Sequence, residues 1–387
     1  MSHSAAVRYL RDYVAIPSVN PLGRTDIDPA LLYEDRYAER VQQQLQKLGV
    51  NAVLVGTAPR RSVVAEVRAA RATETLLVAS HLDTVPVDHM SIDPFDPVVK
   101  DGRLFGRGSC DTKAGMAALL AALERVLARG SLARHLVIVG EADEESSGSI
   151  GVADTLAHLE GTRIDWAIAT EPTELRLVNA HKGTAVVRVE ARGRACHSSD
   201  PSRGENAIVA LAHAVLGVHA LGAQLAQHPH PVLGPATLSI GLVGGGNAPN
   251  IVPDRAWFAL DRRTLPGDTS ESLSAEIEAA LRAAGQGSVG AGSVTVGEVR
   301  MGKQPLFTPD TSPGLVACRR ALERVRCNTD LRTVAFGTDA GLLAGAGIPS
   351  VVLGPGSIDR AHTADEYVEV DQLERMVHIY EQILEGA

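Results

Sequence analysis

Short apolar runs separated by helical segments dominate the first 170 residues of the chain. The runs TLLVAS (75–80), LVIVG (136–140) and WAIAT (166–170) contain no charged residue, as expected of strands that are buried on both faces. Between the first two runs, residues 112–130 place their apolar side chains on one face of a helix. Apolar strands that alternate with helices predict a central, largely parallel sheet and therefore the α/β fold class.

The middle of the chain follows a different pattern. From residue 183 the run TAVVRVEARG alternates apolar and polar side chains, as a half-exposed strand does. A helix, two strands, a second helix and a last strand ending near residue 301 follow it. This β-α-β-β-α-β order is the ferredoxin-like plan, which can form a compact inserted domain. We therefore predict an α/β domain in two parts, residues 1–180 and 301–387, interrupted by an α+β domain at 181–300.

Composition and charge restrict the classes of function. The 387 residues are 45% hydrophobic and carry a net charge of −9, which gives no electrostatic support for binding nucleic acid or an anionic membrane. No apolar run approaches the roughly 20 residues that span a bilayer, and the N-terminus lacks the apolar core of a signal peptide. The four cysteines form no CxxC pair, which suits a reducing compartment. These features predict a soluble, cytoplasmic protein.

Acidic and histidine side chains follow the apolar strands. The stretch EADEESSG (141–148) comes directly after LVIVG and places four carboxylates within five positions. Like charges this close to a buried strand repel each other, and desolvation increases the cost. Further side chains of the same kind lie at strand ends or in adjacent loops: His81, Asp83, Asp111, Glu171 and His362. Because sites in open parallel sheets form at the carboxyl edge, we expect these groups to converge there.

A cation site explains this convergence. Taken singly, an HxD pair is more often a hydrogen-bonded pair, an acidic run is usually a solvated surface, and His362 alone could be a surface histidine. Together at one sheet edge, these groups favour a site for two divalent metal ions. Imidazole and carboxylate ligands without a thiolate favour Zn²⁺, with Co²⁺ or Mn²⁺ as alternatives.

Longer motifs carry a resemblance to a known family. The motifs are SHLDTVP, GRGSCDTKAGMAA, ADEE, TEPT, ACHSSDPSRGENAI and LGPGSIDRAHTADEYVEV, and in this order they resemble the M20 metallopeptidases. That family includes acetylornithine deacetylase, succinyl-diaminopimelate desuccinylase, aminoacylase and the glutamate carboxypeptidases. Within it, HSSDPSRGENAI, DRRTLPG and GPGSIDRAHTADEY look most like acetylornithine deacetylases. The resemblance implies a mostly parallel-sheet zinc-peptidase catalytic domain with an inserted ferredoxin-like lid and dimerisation domain.

The resemblance also implies two Zn²⁺ ions per subunit and a ligand for each position. His81 and Glu171 would bind one ion. Glu145 and His362 would bind the other, and Asp111 would bridge the pair. Two such ions polarise an amide carbonyl and lower the pKa of a water molecule. On this basis most of the crowded acids are metal ligands.

Three further features near the metals follow from the same resemblance. Glu144 would be the general base, which takes a proton from the attacking water and returns it to the leaving amine. Asp83 would hold the imidazole of His81 in the required tautomer. The peptide bond between Asp111 and Thr112 is expected to be cis, as is characteristic of the family.

In the inserted domain the resemblance implies roles for three residues. His197 would stabilise the oxyanion across a dimer interface. Arg263 would bind the substrate α-carboxylate through its guanidinium fork, while the adjacent Arg262 would face the other way. Asn250 matches a substrate-contacting position. The predicted partners are therefore a small N-acyl amino acid or short peptide and a second copy of the chain.

Three functional hypotheses remain open at this point. The first is an N-acyl-amino-acid amidohydrolase of the acetylornithine deacetylase type. The second is a metallo-carboxypeptidase or dipeptidase, or an enzyme like succinyl-diaminopimelate desuccinylase. The third is a non-catalytic binding relative, which the presence of Glu144 and of every implied ligand disfavours. Residues 337–340 read GTDA where acetylornithine deacetylases often carry Thr-Glu-Ala, and the shorter acid bears on recognition of the substrate side chain.

Overall fold

A computed structural model describes residues 3–146, 149–285 and 293–386. In these residues the helices are α1 (Ala5–Val14), α2 (Asp35–Lys47), α3 (Lys113–Arg129), α4 (Ile150–His158), α5 (Ala207–Leu225), α6 (Ser270–Ala283), α7 (Pro313–Arg324), α8 (Asp339–Gly345) and α9 (Val370–Leu384). The strands are β1 (Ala52–Val55), β2 (Ser62–Val67), β3 (Thr75–His81), β4 (Val98–Lys100), β5 (Arg103–Phe105), β6 (His135–Glu141), β7 (Trp166–Ala169), β8 (Val178–His181), β9 (Gly183–Arg192), β10 (Cys196–His197), β11 (Thr237–Gly245), β12 (Ile251–Val252), β13 (Arg255–Thr264), β14 (Ser293–Met301), β15 (Leu306–Phe307), β16 (Arg332–Val334), β17 (Ser350–Val352) and β18 (Tyr367–Glu369).

The chain divides into two compact units. The first comprises Met1–Ala180, Phe307–Val334 and Thr338–Ala387, and the second comprises His181–Leu306 and Ala335–Gly337. The second unit extends beyond residue 300 because strand-like pairing continues past β14. Lys303 O accepts the amide of Thr184, and Thr184 O accepts that of Gly302.

The central sheet of the first unit runs in the order β1-β2-β6-β3-β7-β17-β8-β15. The pairs β6–β3, β3–β7 and β7–β17 are parallel, whereas β1–β2, β2–β6 and β17–β8 are antiparallel. The four central strands, β6-β3-β7-β17, are parallel throughout, which confirms the prediction of a mostly parallel central sheet in an α/β fold. The parallel pairing brings the carboxyl ends of β3, β6 and β7 to one edge.

The parallel strands are buried on both faces. Along β3, Leu76 and Val78 pack in one core, while Leu77 and Ala79 pack in another, because successive side chains point to opposite faces of a sheet. Helices α1, α2, α3, α7 and α9 cover the first face, and α4 and α8 cover the second. Burial on both faces explains why these strands are unbroken apolar runs.

The second unit has the predicted ferredoxin-like topology. Its sheet runs β11-β13-β9-β14, and all neighbouring strands are antiparallel. Helices α5 and α6 pack on one face, where Val187, Val189 and Phe258 are buried. The alternating residues of β9 on the other face are partly or fully exposed, which matches the alternation in TAVVRVEARG.

Two local sequence predictions were wrong. The amphipathic pattern of residues 30–48 predicts one helix over that range, but α2 begins only at Asp35. Pro29–Leu31 forms a short 3₁₀ turn, and Tyr33 has a left-handed φ of 70°, which interrupts an α-helix. In addition, α5 has the length and apolar composition to cross a membrane, although no such run was expected. Core helices of soluble proteins pass the same test, and the buried face of α5 packs on the sheet of its own unit.

Candidate metal centre and active site

The carboxyl edge of the central sheet collects the predicted side chains of the first unit. His81 is the last residue of β3, and the loop that carries Glu144 and Glu145 follows β6. Glu171 lies two residues beyond the end of β7. Asp111 comes from a different direction, two residues before α3 begins. The fold therefore brings together groups that are far apart in the sequence.

Asp111 lies between the two histidines. Its Oδ1 is 3.0 Å from Nε2 of His81, and its Oδ2 is 3.2 Å from Nε2 of His362. Nε2 of His362 is also 3.2 Å from Oε1 of Glu145. One ligand-type atom from each of His81, Asp111 and Glu145 fits within a span of 4.8 Å, a spacing that could hold a metal ion. The peptide bond between Asp111 and Thr112 is cis, as predicted.

Glu171 completes the cluster on the His81 side. Its Oε2 is 3.9 Å from Nε2 of His81, and its carboxylate is buried. Among the described residues, the ion pairs of Asp111, Glu145 and Glu171 are all with histidines, and none is with lysine or arginine. The cluster thus holds three buried or half-buried carboxylates without a permanent positive charge beside them.

The pKa values show how the cluster balances its charge. Burial raises the pKa of Glu171 well above its usual range, and the charges of Asp111 and Glu144 add to that effect against the opposing charge of His81. Hydrogen bonds to Asp111 and Glu145 raise the pKa of His362 to about 10. Both shifts mean that the site retains protons to offset its negative charge. A divalent cation would compete with these protons for the same oxygen and nitrogen atoms.

Asp83 connects the histidine to the acidic loop. Its Oδ1 lies 3.5 Å from Nδ1 of His81 and accepts the backbone N–H of Glu144 at 3.0 Å. Its Oδ2 accepts the backbone N–H of Glu145 at 2.9 Å. Nδ1 of His81 also lies 3.0 Å from the backbone oxygen of Asp83. One buried carboxylate therefore fixes the ring of His81 and the loop of Glu144 and Glu145 together.

A buried polar network behind Asp83 was not predicted from the sequence. The side-chain amide of Asn20 donates to Asp83 at 2.8 Å and to Asp143 at 2.9 Å. Arg60 pairs with Asp143 at 2.7 Å and lies 3.5 Å from Glu34. Asp143 is thus neutralised by Arg60, which accounts for one of the EADEE acids without a metal ion. No sequence pattern marks Arg60, which lies 83 positions before its partner.

His197 and Asn250 lie close together in the second unit. β10 pairs with β12, and the backbone oxygen of Asn250 accepts the amide of Ser198. Nδ1 of His197 accepts the backbone N–H of Ser199 at 3.2 Å. Because a backbone N–H only donates, a neutral His197 ring carries its proton on Nε2. The exposed Nε2–H is therefore a hydrogen-bond donor.

Arg263 lies near the end of β13 and Arg262 beside it faces the opposite way. Arg262 is buried and pairs with Glu276 of α6 at 3.3 Å. Arg263 is 39% exposed at its side chain and pairs with the neighbouring Asp261 at 3.0 Å. The alternation of side chains along a strand explains the contrast. Arg263 is the one of the two whose guanidinium remains accessible.

The chain is similar to known proteins in its family pattern, in its sequence and in its fold. Residues 77–386 match the family model described as Peptidase family M20/M25/M40. The chain is 32% identical over 322 residues to acetylornithine deacetylase of Proteus mirabilis (strain HI4320), covering 81% of this chain and 80% of that protein. Its fold is similar to that of an M20 family metallo-carboxypeptidase from Sulfolobus solfataricus (TM-score 0.76, 20% identity, 99% of both chains). It is also similar in fold to a dinuclear metal binding peptidase of the M20 family from Bacillus subtilis (TM-score 0.73, 13% identity, 99% and 98% of the two chains).

The imidazole and carboxylate donors gathered at the carboxyl edge of the sheet, together with the family match, indicate a hydrolase of the metallopeptidase class. The chain belongs to the Peptidase family M20/M25/M40. The resemblance inferred from the sequence motifs is thereby confirmed.

Proposed function

We propose that this chain is a two-metal amidohydrolase that cleaves the amide bond of an N-acyl amino acid, as an acetylornithine deacetylase does. The observation that carries the proposal is the cluster of His81, Asp111 and Glu145, with donor atoms within 4.8 Å of one another. The 32% identity to a protein named acetylornithine deacetylase supports the choice of reaction. The four free cysteines are consistent with the proposed location in the cytoplasm.

The donor set fits divalent metal ions such as Zn²⁺. In this proposal His81 and Glu171 would hold one ion, Glu145 and His362 would hold the other, and Asp111 would contribute a ligand to both. Borderline imidazole and hard carboxylate donors suit Zn²⁺, Co²⁺ or Mn²⁺, and among the described residues the ion pairs of these carboxylates are all with histidine, which favours a cation here. When bound, two such ions polarise a substrate carbonyl and acidify a water molecule.

Glu144 is the proposed general base. Its side chain is buried, and the bond from its own amide to Asp83 fixes its backbone. The carboxylate takes a proton from the attacking water and delivers it to the nitrogen of the leaving amine, so one group serves as base and then as acid. Asp83 keeps the ring of His81 and the loop of Glu144 in a fixed relative position during this transfer.

The second unit supplies the proposed substrate contacts. The accessible guanidinium of Arg263 binds the α-carboxylate of the amino acid in a bidentate manner. His197 of the partner subunit donates its Nε2–H to the oxyanion that develops on the carbonyl oxygen. Asn250, held beside His197 by its backbone, contacts the substrate. The proposal therefore includes a homodimer.

A metallo-carboxypeptidase or dipeptidase is the second candidate. Arg263 would recognise the free α-carboxylate of a peptide as well as that of an N-acyl amino acid, so the accessible guanidinium favours both. The two activities are separated by measuring kcat/KM for N-acetyl-ornithine, N-succinyl-diaminopimelate and a dipeptide ending in glutamate, with Zn²⁺ added. A clear preference for N-acetyl-ornithine is the expected result, and a preference for the dipeptide would reassign the protein.

The test of the mechanism is Glu144→Gln. We expect kcat to fall by about 10²–10⁴-fold on the better substrate, the range of a lost general base, while metal content stays at the wild-type level. Glu160→Gln, an exposed acid at the end of α4, is the matched control and should leave kcat unchanged. Near-full activity of Glu144→Gln with normal metal content would remove Glu144 from the mechanism.

A further inference from the structure

Glu366 is a buried carboxylate that the mechanism above does not use. Its Oε1 accepts two consecutive backbone amides, from Cys110 at 3.0 Å and from Asp111 at 3.1 Å. Its Oε2 accepts Nη1 of Arg107 at 2.5 Å. Arg107 is itself buried and donates a second bond to the backbone oxygen of Pro86 at 3.3 Å. Both oxygens of Glu366 are therefore engaged by donors that cannot accept.

These contacts join two segments that each carry a predicted metal ligand. Glu366 lies four residues after His362, and one of the amides that it binds belongs to Asp111. The link is reinforced by the backbone oxygen of Glu366, which accepts the amide of Gly106 at 3.0 Å. Oδ2 of Asp111 is also in contact with Nε2 of His362. The hydrogen bonds of Glu366 therefore join the segments of two predicted ligands that contact each other.

Stability alone is a weak reason for such an arrangement. Taking Glu366 and Arg107 out of water costs several kcal/mol per ion, and apolar replacements of buried ion pairs are often as stable. Arg107 neutralises the carboxylate of Glu366, so Glu366 adds no net negative charge beside the acidic cluster. What an apolar pair could not provide is an acceptor for the amide of Asp111.

We propose that Glu366 is a positioning residue that holds Asp111 and His362 in the geometry required to bind the second metal ion. This inference rests on the proposed function, because it presumes that Glu145 and His362 hold one of two ions. Loss of the acceptor would let the peptide of Asp111 turn and its carboxylate move away from His362. Substituting a residue that forms hydrogen bonds with metal ligands typically weakens metal binding 10–100-fold.

Two double variants separate the acceptor from the ion pair. Arg107→Gln with Glu366→Gln removes both charges but keeps an amide oxygen for the backbone amides of Cys110 and Asp111. Arg107→Met with Glu366→Leu removes both charges and the acceptor. Glu74→Gln breaks another ion pair, Glu74–Arg134, whose carboxylate is partly exposed. It is the control for general loss of stability, since Glu74 directly precedes β3 and lies away from the carboxyl edge.

The readouts are metal binding and thermal unfolding of the full chain. Stepwise dissociation constants for Co²⁺ and Zn²⁺ are measured by competition with a chromophoric chelator, and metal content by elemental analysis. We expect the Gln/Gln variant to bind both ions within threefold of wild type. We expect the Met/Leu variant to bind the second ion 10–100-fold more weakly and the first ion less affected, because His81 and Glu171 stay in place. Kinetically, kcat of the Met/Leu variant should fall while KM changes little.

Each outcome decides between the inference and its alternatives. Equal metal affinities in the two double variants would overturn the inference, whatever their melting temperatures. A fall in melting temperature matched by Glu74→Gln, without a change in metal binding, would show that Glu366 is only structural. If the Met/Leu variant lacks a cooperative unfolding transition, Glu366→Asp replaces it, since it keeps the charge but shortens the reach to the amides. Wild-type protein that binds fewer than two ions would instead refute the proposed function.

Discussion

Gly354 packs against the backbone of Glu171, so the substitution Gly354→Ala tests the role of that glutamate. A Cβ added to Gly354 would lie 2.6 Å from the carbonyl oxygen of Glu171 and 3.1 Å from its nitrogen. Ordinary contact begins at 3.4 Å, so the two segments must separate by about 0.8 Å. The opposing atoms are backbone, so no side-chain rotation can relieve the overlap.

Surrounding hydrogen bonds direct this displacement into the site. The amide of Gly354 donates to Oγ1 of Thr173 at 3.1 Å, and its carbonyl accepts the amide of Leu175 at 3.1 Å. These bonds hold the loop after β17 against the segment that carries Glu171. We therefore expect Gly354→Ala to move the carboxylate of Glu171 relative to His81 by several tenths of an ångström, up to about 0.8 Å.

The expected magnitudes follow from overpacking and misplacement. Overpacking should lower the free energy of unfolding by about 1–3 kcal/mol. A displacement near 1 Å should lower kcat/KM by up to about 100-fold, and the ion held by His81 and Glu171 should bind at least about 10-fold more weakly. The assays are urea denaturation, elemental analysis after dialysis and initial rates at 25 °C, where the variant remains folded.

Gly222→Ala provides the control. Gly222 lies in α5 with nothing within 4 Å of an added Cβ, so alanine should stabilise the helix by up to about 1 kcal/mol and leave catalysis unchanged. If Gly354→Ala loses stability as expected but keeps wild-type metal content and kcat/KM, then Glu171 does not bind metal or tolerates displacement. Either result would refute the reasoning.

Three further predictions concern the network, pH dependence and the second unit. Asn20→Leu should cost about 2–4 kcal/mol in urea denaturation and lower kcat/KM, since Asp83 and Asp143 each lose a buried donor. Burial and the charge of Asp83 raise the pKa of Glu34 from 4.5 to about 8, so its stabilising contribution is full below pH 4.5 and is lost as pH rises towards 8. Glu34→Gln should therefore flatten the decline in the free energy of unfolding across that range, and an unchanged slope would contradict the shift. His197→Ala should lower kcat by about 100-fold or more in initial-rate assays without changing metal content, and an unaltered kcat would exclude an oxyanion contact.

The sheet and the strand-end residues were predictable because local patterns encode them. Unbroken apolar runs identify doubly buried strands, and parallel strands must end at one edge, so His81, Glu145 and Glu171 could be expected to meet. Element ends were less well predicted. The apolar run IPSVVLGPG (348–356) predicts one strand, but β17 covers only Ser350–Val352, because the chain then packs on the Glu171 segment at Gly354.

Groups that support the site were not predictable in the same way. Asn20, Arg60 and Glu366 belong to no periodic pattern, and each acts through a partner at least 63 positions away. A single polar residue in a loop has many possible partners, and only the folded chain selects one. Glu366 carried one signal, its position four residues after His362 in AHTADEY, but no sequence pattern connects it with Asp111.

The crowded acids of the sheet edge are accommodated in different ways, and the difference supports the proposed assignment of metal ligands. Asp143 has Arg60 and Asn20, and Asp83 has the amides of the next acidic loop. Within the described residues, Asp111, Glu145 and Glu171 have only histidines, which lose their charge on deprotonation. A fixed cation beside these three would compete with a metal ion, whereas histidine can change from a proton carrier to a ligand. The carboxylates without a permanent counter-charge are therefore those that the fold leaves available for metal.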